Sequence, residues 1–158
     1  MSTEADHLDR LDRLESIDAL RRIVAQYAHA ADKHDVDGFL STFHSDAAWD
    51  VGSTRFVGHD QIRSAIEYQW GVQPEMHHWT TNVLINMTGP DRASASSDVA
   101  VLTRQSNASF SLSAGTYYDV FERRSGVWAL AERRAAVHST IRLSDGAAGE
   151  VLARSADT

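Results

Sequence analysis

The chain has 158 residues, 42% of them hydrophobic and 23% charged, which is enough apolar material for one domain with its own core. Its formal net charge is −7 and Lys33 is its only lysine, so a phosphate-binding surface built on clustered cations is excluded. It has no cysteine, which removes disulfides, thiol nucleophiles and thiolate metal sites. No apolar run approaches the roughly 18 residues that span a membrane. The opening stretch from Met1 to Asp12 is polar and acidic, unlike a signal peptide, so a cytoplasmic location is expected.

In chain order, the first half reads as helical. Residues 1–7 are small and polar and are expected to be loose. Leu14, Ile17, Leu20, Val24, Tyr27, Ala28 and Ala31 then recur at spacings of three and four and make one apolar stripe. Asp32 falls at the edge of that stripe, at the helix end. A carboxylate there opposes the helix dipole, so helix stability does not account for it. Asp35 or Asp37 can cap a short second helix through Phe39, Leu40 and Phe43. Residues 47–51 read as a short strand, and Gly58-His59-Asp60 opens another helix with Asp60 as its cap.

The second half reads as sheet. A strand over 76–87 stops at Thr88-Gly89-Pro90-Asp91, a second runs from Ala95 to Gln105, and a third from Phe110 to Arg123. Arg124-Ser125-Gly126 is a hairpin signal, and Val127 to Leu143 is the last strand. Helices followed by a long antiparallel meander is an α+β pattern. A strongly curved sheet wrapped around the helices would enclose one pocket. Residues from about 145 onward are again expected to be loose.

Three polar groups arrive on otherwise apolar elements: Asp32, His78 and Arg133. A carboxylate that orients an imidazole, with a guanidinium to hold developing negative charge, would form a proton-transfer site. The two-residue period of the last strand puts Ala129, Ala131, Arg133, Ala135, Val137 and Ile141 on one face, and Glu132, Arg134, His138 and Arg142 on the other. A charge on the apolar face needs a partner or an anion. Asp98 alternates with Ala100 and Leu102 and is a candidate to point inward and pair with Arg133. On the neighbouring strand apolarity alone would turn His77 inward, although a polar-lined pocket suits the face that carries His78. His77 goes with Trp79, Val83, Ile85 and Met87, whereas His78 goes with Met76, Thr80, Asn82 and Leu84.

Taken together, the first helix from Ile17 to Asp32, Asp46-Ala47-Ala48-Trp49, His78-Trp79-Thr80-Thr81-Asn82, Gly115-Thr116-Tyr117-Tyr118 and the run from Phe121 to Trp128 resemble the SnoaL-like branch of the nuclear transport factor 2-like superfamily. The likeness is strongest to hexachlorocyclohexane dehydrochlorinases, bile-acid 7α-dehydratases and scytalone dehydratases, and it covers roughly residues 8–143 of a single domain. It implies a cone-shaped curved antiparallel sheet around N-terminal helices, a cystatin-like α+β barrel. It also implies a His–Asp dyad at His78 and Asp32, an arginine at Arg133 and a pocket tryptophan at Trp49. Tyr27 stands where the dehydrochlorinases carry a lysine and the dehydratases a tyrosine. That substitution favours an oxygen leaving group, because a phenol donates to a departing hydroxyl where an ammonium suits a halide.

The expected activity is a cofactor-independent lyase acting on a small, largely apolar cyclic or polycyclic compound. His78, Asp32, Arg133 and Tyr27 carry the chemistry, and Trp49, Phe43, Tyr68, Asp98 and Tyr117 are candidates to line the site. An isomerase or polyketide cyclase of the same fold, or a non-catalytic ligand-binding domain, are the rival readings. His29, His34, His44 and His59 lack metal-ligand spacing, and no phosphate-binding glycine loop or serine elbow is present, so neither metal nor nucleotide is expected. A long sheet with one face to cover suggests a homo-oligomer, with a trimer favoured over a dimer by the resemblance.

Overall fold

Thr3 starts the long first helix. Its hydroxyl accepts the Asp6 amide while the Asp6 carboxylate accepts the Thr3 amide at 2.7 Å, a reciprocal cap that carries helix α1 from Glu4 to Lys33. The computed structural model describes residues 3–143. Residues 3–7, expected to be loose, are therefore capped and helical, while the expectation for the C-terminal tail lies outside the described residues. His34, at φ 57°, closes α1 in the left-handed conformation. Asp35 then caps α2 (Val36–Leu40) by accepting the Gly38 amide at 2.9 Å.

A hairpin of β1 (Phe43–Val51) and β2 (Thr54–Val57) leads into α3 (Gly58–Val72). The β2 strand was not foreseen. The α3 cap is Val57, whose amide is accepted by the Gln61 side chain, and not Asp60. Four long strands follow: β3 (Glu75–Gly89), β4 (Arg92–Arg104), β5 (Phe110–Arg124) and β6 (Val127–Leu143). Ser125 and Gly126 both have positive φ, as the tight β5–β6 turn requires.

The six strands form one curved sheet in the order β2-β1-β6-β5-β4-β3. The meander β3 to β6 is antiparallel, as its sequence indicates, but β1 joins β6 in parallel. The α+β class and the helices-then-sheet layout are borne out, with the sheet left open at β2 and β3 instead of closing into a barrel.

The concave face holds the core. Leu20 and Val24 of α1, Phe39 of α2, Ile62 and Ile66 of α3, and Met76, Phe121 and Leu130 of the sheet are all buried. Two indole N–H groups tie the helices down. Trp70 donates to the Ala31 carbonyl at 2.9 Å, which is otherwise held only by the long 3.5 Å bond from the His34 amide, and Trp128 donates to the Ser16 hydroxyl at 3.1 Å. The terminus of α1 that carries Asp32 is thus fixed from two sides, by its own cap and by α3.

Bulges decide which side chains reach the interior. On β3 the pairing with β4 slips between Thr81 and Leu84, with Asn82 at φ 52°. Met76, His78 and Thr80 face inward before the slip, and Val83, Ile85 and Met87 after it. On β6 the pairing slips at Ala131 and again at His138. Inward positions therefore run Leu130, Arg133, Ala135, Val137 and then Thr140 and Arg142. Val137 and Arg142, the latter expected outward, border the cavity from exposed positions, whereas Ile141, expected inward, does not reach it.

Candidate functional site

The open mouth of the sheet and the ends of α1 and α3 enclose a cavity of about 600 Å³. His78 stands on its wall, with Tyr27, Trp49 and Tyr117 beside it and Met76, Ile66 and Val101 supplying apolar surface.

Asp32 locks His78 from behind. Its Oδ2 accepts the His78 backbone amide at 2.9 Å, and its Oδ1 lies 2.5 Å from His78 Nδ1. An ionised carboxylate can only accept in this pairing, so in the neutral imidazole Nδ1 carries the proton and Nε2 is left with its lone pair. Nε2 has no hydrogen-bond partner among the described residues. Both side chains are largely buried, at 7% and 17% exposure, so water competes little for this pair. Asp32 thus does for a side chain what it does not do for its own helix, where its charge opposes the dipole. His77, on the other face of β3, is exposed beside Glu75 at 3.3 Å.

Tyr27 is 3% exposed, two turns before the end of α1, and its ring stands edge-on to His78 at 6.4 Å between centroids. Burial pushes its phenol above the usual tyrosine range, against the pull of the nearby Arg133 charge, and burial raises Tyr117 further still. Both hydroxyls are therefore protonated donors at neutral pH. The indole N–H of Trp49 is buried at the same wall, beside the Tyr27 hydroxyl but without a well-formed hydrogen bond among the described residues.

Arg133 is placed differently from expectation. It points inward and is completely buried, but it does not line the cavity, and its partner is Asp119, not Asp98. Nε and Nη2 donate to the two carboxylate oxygens at 2.8 and 2.7 Å, and the two residues are direct cross-strand neighbours. The guanidinium sits between the Tyr27 and Tyr117 rings, 4.0 and 4.4 Å from their centroids. Burial works against its charge, but Asp119 outweighs that and holds the group firmly protonated. Nη1 has no partner among the described residues. Asp98 lies on the exposed face of β4, where it accepts from Asn82 at 2.8 Å, because the inward positions on that strand are its neighbours Ser97 and Val99.

Two other expected lining residues sit elsewhere. Phe43 is a core aromatic packed on Tyr27, Phe39 and Trp49, behind the cavity wall. Tyr68 is 72% exposed and borders a second, more apolar recess of about 850 Å³ between α3 and the β1–β2 hairpin. That recess meets the first at Trp49, Val51, Gln69 and Gln73. His44 and His59, which drew attention as possible ligands, donate to the Glu122 and Phe43 carbonyls at 2.8 and 3.0 Å. His34 stacks on Trp70.

Sequence reasoning missed Asp119, Gln105 and Arg142. The alternation Tyr117-Asp119-Phe121 could have revealed the first. The other two depend on a turn and a bulge that leave no mark in a two-residue period.

The comparisons agree with this geometry at the level of fold and family. A hexachlorocyclohexane dehydrochlorinase of Sphingobium indicum is 29% identical over 121 residues, covering 74% of this chain and 77% of that protein. The solved structure of the dehydrochlorinase LinA superposes with a TM-score of 0.82 at 26% identity, covering 87% of this chain and 95% of that one. A scytalone dehydratase-like protein of Novosphingobium aromaticivorans shares the fold with a TM-score of 0.77 at 18% identity, over 84% of this chain and 91% of its own. The SnoaL-like domain model matches residues 12–134, most of the chain and every element from α1 into β6. On that match, and with the curved sheet and N-terminal helices in place, this chain belongs to the SnoaL-like domain family.

Proposed function

We propose that the protein is a cofactor-independent lyase that removes water, or another small leaving group, from a cyclic compound. The observation that carries this reading is the Asp32–His78 pair on the wall of a cavity sized for one small molecule. Likeness to a dehydrochlorinase supports it, since elimination begins with removal of a proton from carbon.

In this reading His78 Nε2 takes that proton, and the C–H electrons form the new double bond as the leaving group departs. Asp32 holds the ring in the tautomer that exposes Nε2 and balances the charge on the imidazolium. The imidazolium then returns the proton to the departing hydroxyl, so water leaves and the enzyme is restored. The Tyr27 O–H and the Trp49 N–H are the donors that steady the oxygen in flight. Arg133 works one layer back, setting the field under the Tyr27 ring. A neutral phenol at position 27 suits an oxygen leaving group better than a halide. General base catalysis of this kind supplies roughly 10²–10⁴-fold.

The test is turnover of a panel of cyclic β-hydroxyketones and polychlorinated cyclohexanes, with products identified by mass. His78→Ala and Asp32→Asn should each lower kcat by about 10²-fold or more. Release of water with a new double bond supports a lyase. Rearrangement without loss of mass turns the assignment to an isomerase, and undiminished turnover in His78→Ala sinks the catalytic role of the dyad.

A further inference from the structure

The cavity wall has a chemical polarity. The chain carries 22 acidic residues against 15 Lys and Arg, yet among the described residues no carboxylate lines the cavity. Among the described residues its ionisable lining is His78, Tyr27 and Tyr117 on one side and Arg142 on the other.

Arg142 belongs to a row of inward residues across three strands. Thr103 on β4 pairs with Ser111 on β5, which pairs with Arg142 on β6. Beside that row, Ser113 pairs with Thr140, their hydroxyls 2.9 Å apart. The Thr103 and Ser111 hydroxyls are 2.8 Å apart and buried, and Gln105 Nε2 donates to both, at 3.2 and 3.3 Å. Two hydroxyls bring two protons, and their mutual bond uses one. The second proton has no acceptor among the described residues, so the cluster presents a spare buried donor. Arg142 has no carboxylate partner among the described residues, whereas Arg123 and Arg124 each hold two.

The spacing to the base is set by the sheet. His78 pairs with Val101, Val101 with Ser113 and Ser113 with Thr140, so Arg142 lies three strands away and one pleat further along. That is a backbone separation of about 16 Å, at ~4.8 Å per strand and ~3.3 Å per residue. With both side chains reaching inward, the remaining gap suits a molecule of about one or two fused rings.

We propose that the substrate is an anionic ring compound, bearing a carboxylate or an equivalent acidic group that seats on Arg142 and the Thr103–Ser111–Gln105 cluster while the ring rests against His78. This rests on the lyase reading for the identity of the reacting end and adds the chemistry of the other end. It narrows the substrate from an apolar ring to an amphipathic one.

The test is equilibrium binding, read by tryptophan fluorescence and calorimetry, of 2-naphthoate and its neutral carboxamide. The carboxylate should bind wild type about tenfold more tightly than the carboxamide. The preference should shrink as salt rises, because Arg142 is solvent-exposed. Arg142→Gln should abolish it, by weakening carboxylate binding far more than carboxamide binding, and Ser111→Ala should reduce it. His78→Ala should keep the preference although turnover is lost. That separates this proposal from the lyase reading, which stands or falls on turnover. Equal binding of the two probes to wild type, a preference that survives Arg142→Gln, or binding of neither probe would each overturn the proposal. The first two outcomes leave the lyase reading standing.

Discussion

Replacing Asp119 with Asn strands a guanidinium in the core. In the native chain Arg133 and Asp119 both have fully buried side chains and share two hydrogen bonds at 2.8 and 2.7 Å. Each charge-assisted bond contributes about 1.5–3 kcal/mol. Removing one partner of such a pair typically costs about 3–5 kcal/mol, because the surviving charge stays desolvated. Asn keeps one acceptor, and the Tyr27 and Tyr117 faces still hold the cation, so a loss of about 3 kcal/mol is expected for Asp119→Asn. Arg133→Met should cost about 3–5 kcal/mol, since it strands a carboxylate with no ring to soften the loss. The double variant Arg133→Met/Asp119→Leu should return to within about 1 kcal/mol of wild type, as apolar groups of similar volume need no partner. Urea unfolding followed by far-UV circular dichroism measures all three. The losses should be nearly the same at low and high salt, since the pair is out of reach of counterions. A loss below about 1 kcal/mol for Asp119→Asn, or a double variant that loses the sum of the two singles, would refute the account of this pair as a mutually dependent buried ion pair.

Alkaline pH should weaken the fold through Tyr27 and Tyr117. Burial raises both phenols in the folded chain, so their contribution is complete below the unfolded value of about 10 and is lost as pH climbs toward the folded values. Stability should fall by about 1.4 kcal/mol per pH unit for each tyrosine above that point, and Tyr117→Phe should roughly halve the slope in urea titrations at pH 8 to 11. Gly115→Ala should destabilise by about 1–3 kcal/mol, because a Cβ there would lie 2.5 Å from the Ala136 carbonyl oxygen, a backbone atom with no room to retreat. Thermal unfolding would register this, and an unchanged midpoint would show that the β5–β6 bulge can relax. Asn82→Val forces a β-branched residue to φ 52° in the bulge that sets the facing of His78. A loss of about 1–2 kcal/mol is expected, with turnover falling further than stability alone explains.

Helix and strand periodicity made the α+β class, the three helices and the four long strands legible, because those follow from local patterns that tertiary contacts reinforced, whereas β2 and the start of β1 at Phe43 were not. The parallel pairing of β1 with β6 was not legible, since two short runs some eighty residues apart carry no local mark of their partnership. The site divides along the same line. Asp32 could be singled out because its charge is wrong for its place in the helix, and that anomaly is the kind a sequence shows. Between His77 and His78, residue spacing could not choose, and the reason is now visible. The bulge at Asn82 inverts parity midway along β3, so Val83, Ile85 and Met87 argue for one face while Met76 and His78 occupy it from the other register. A second inversion at His138 turns Arg142 inward and Ile141 outward, against a count that treats β6 as one uninterrupted strand. The second inversion borders the cavity, between Val137 and Thr140, and the first lies four residues beyond His78 along β3. A regular sheet would present one uniform face to the helices. Here one slip leaves His78 in register with Met76 on the cavity wall while keeping Val83 and Ile85 against the core, and the other leaves Arg133 buried against Asp119 while bringing Arg142 to the rim. The bulges are therefore what allow a single apolar sheet face to carry the His78 imidazole at one side of the cavity and a cation at the other. Straightening either one should disable the site before it unfolds the chain.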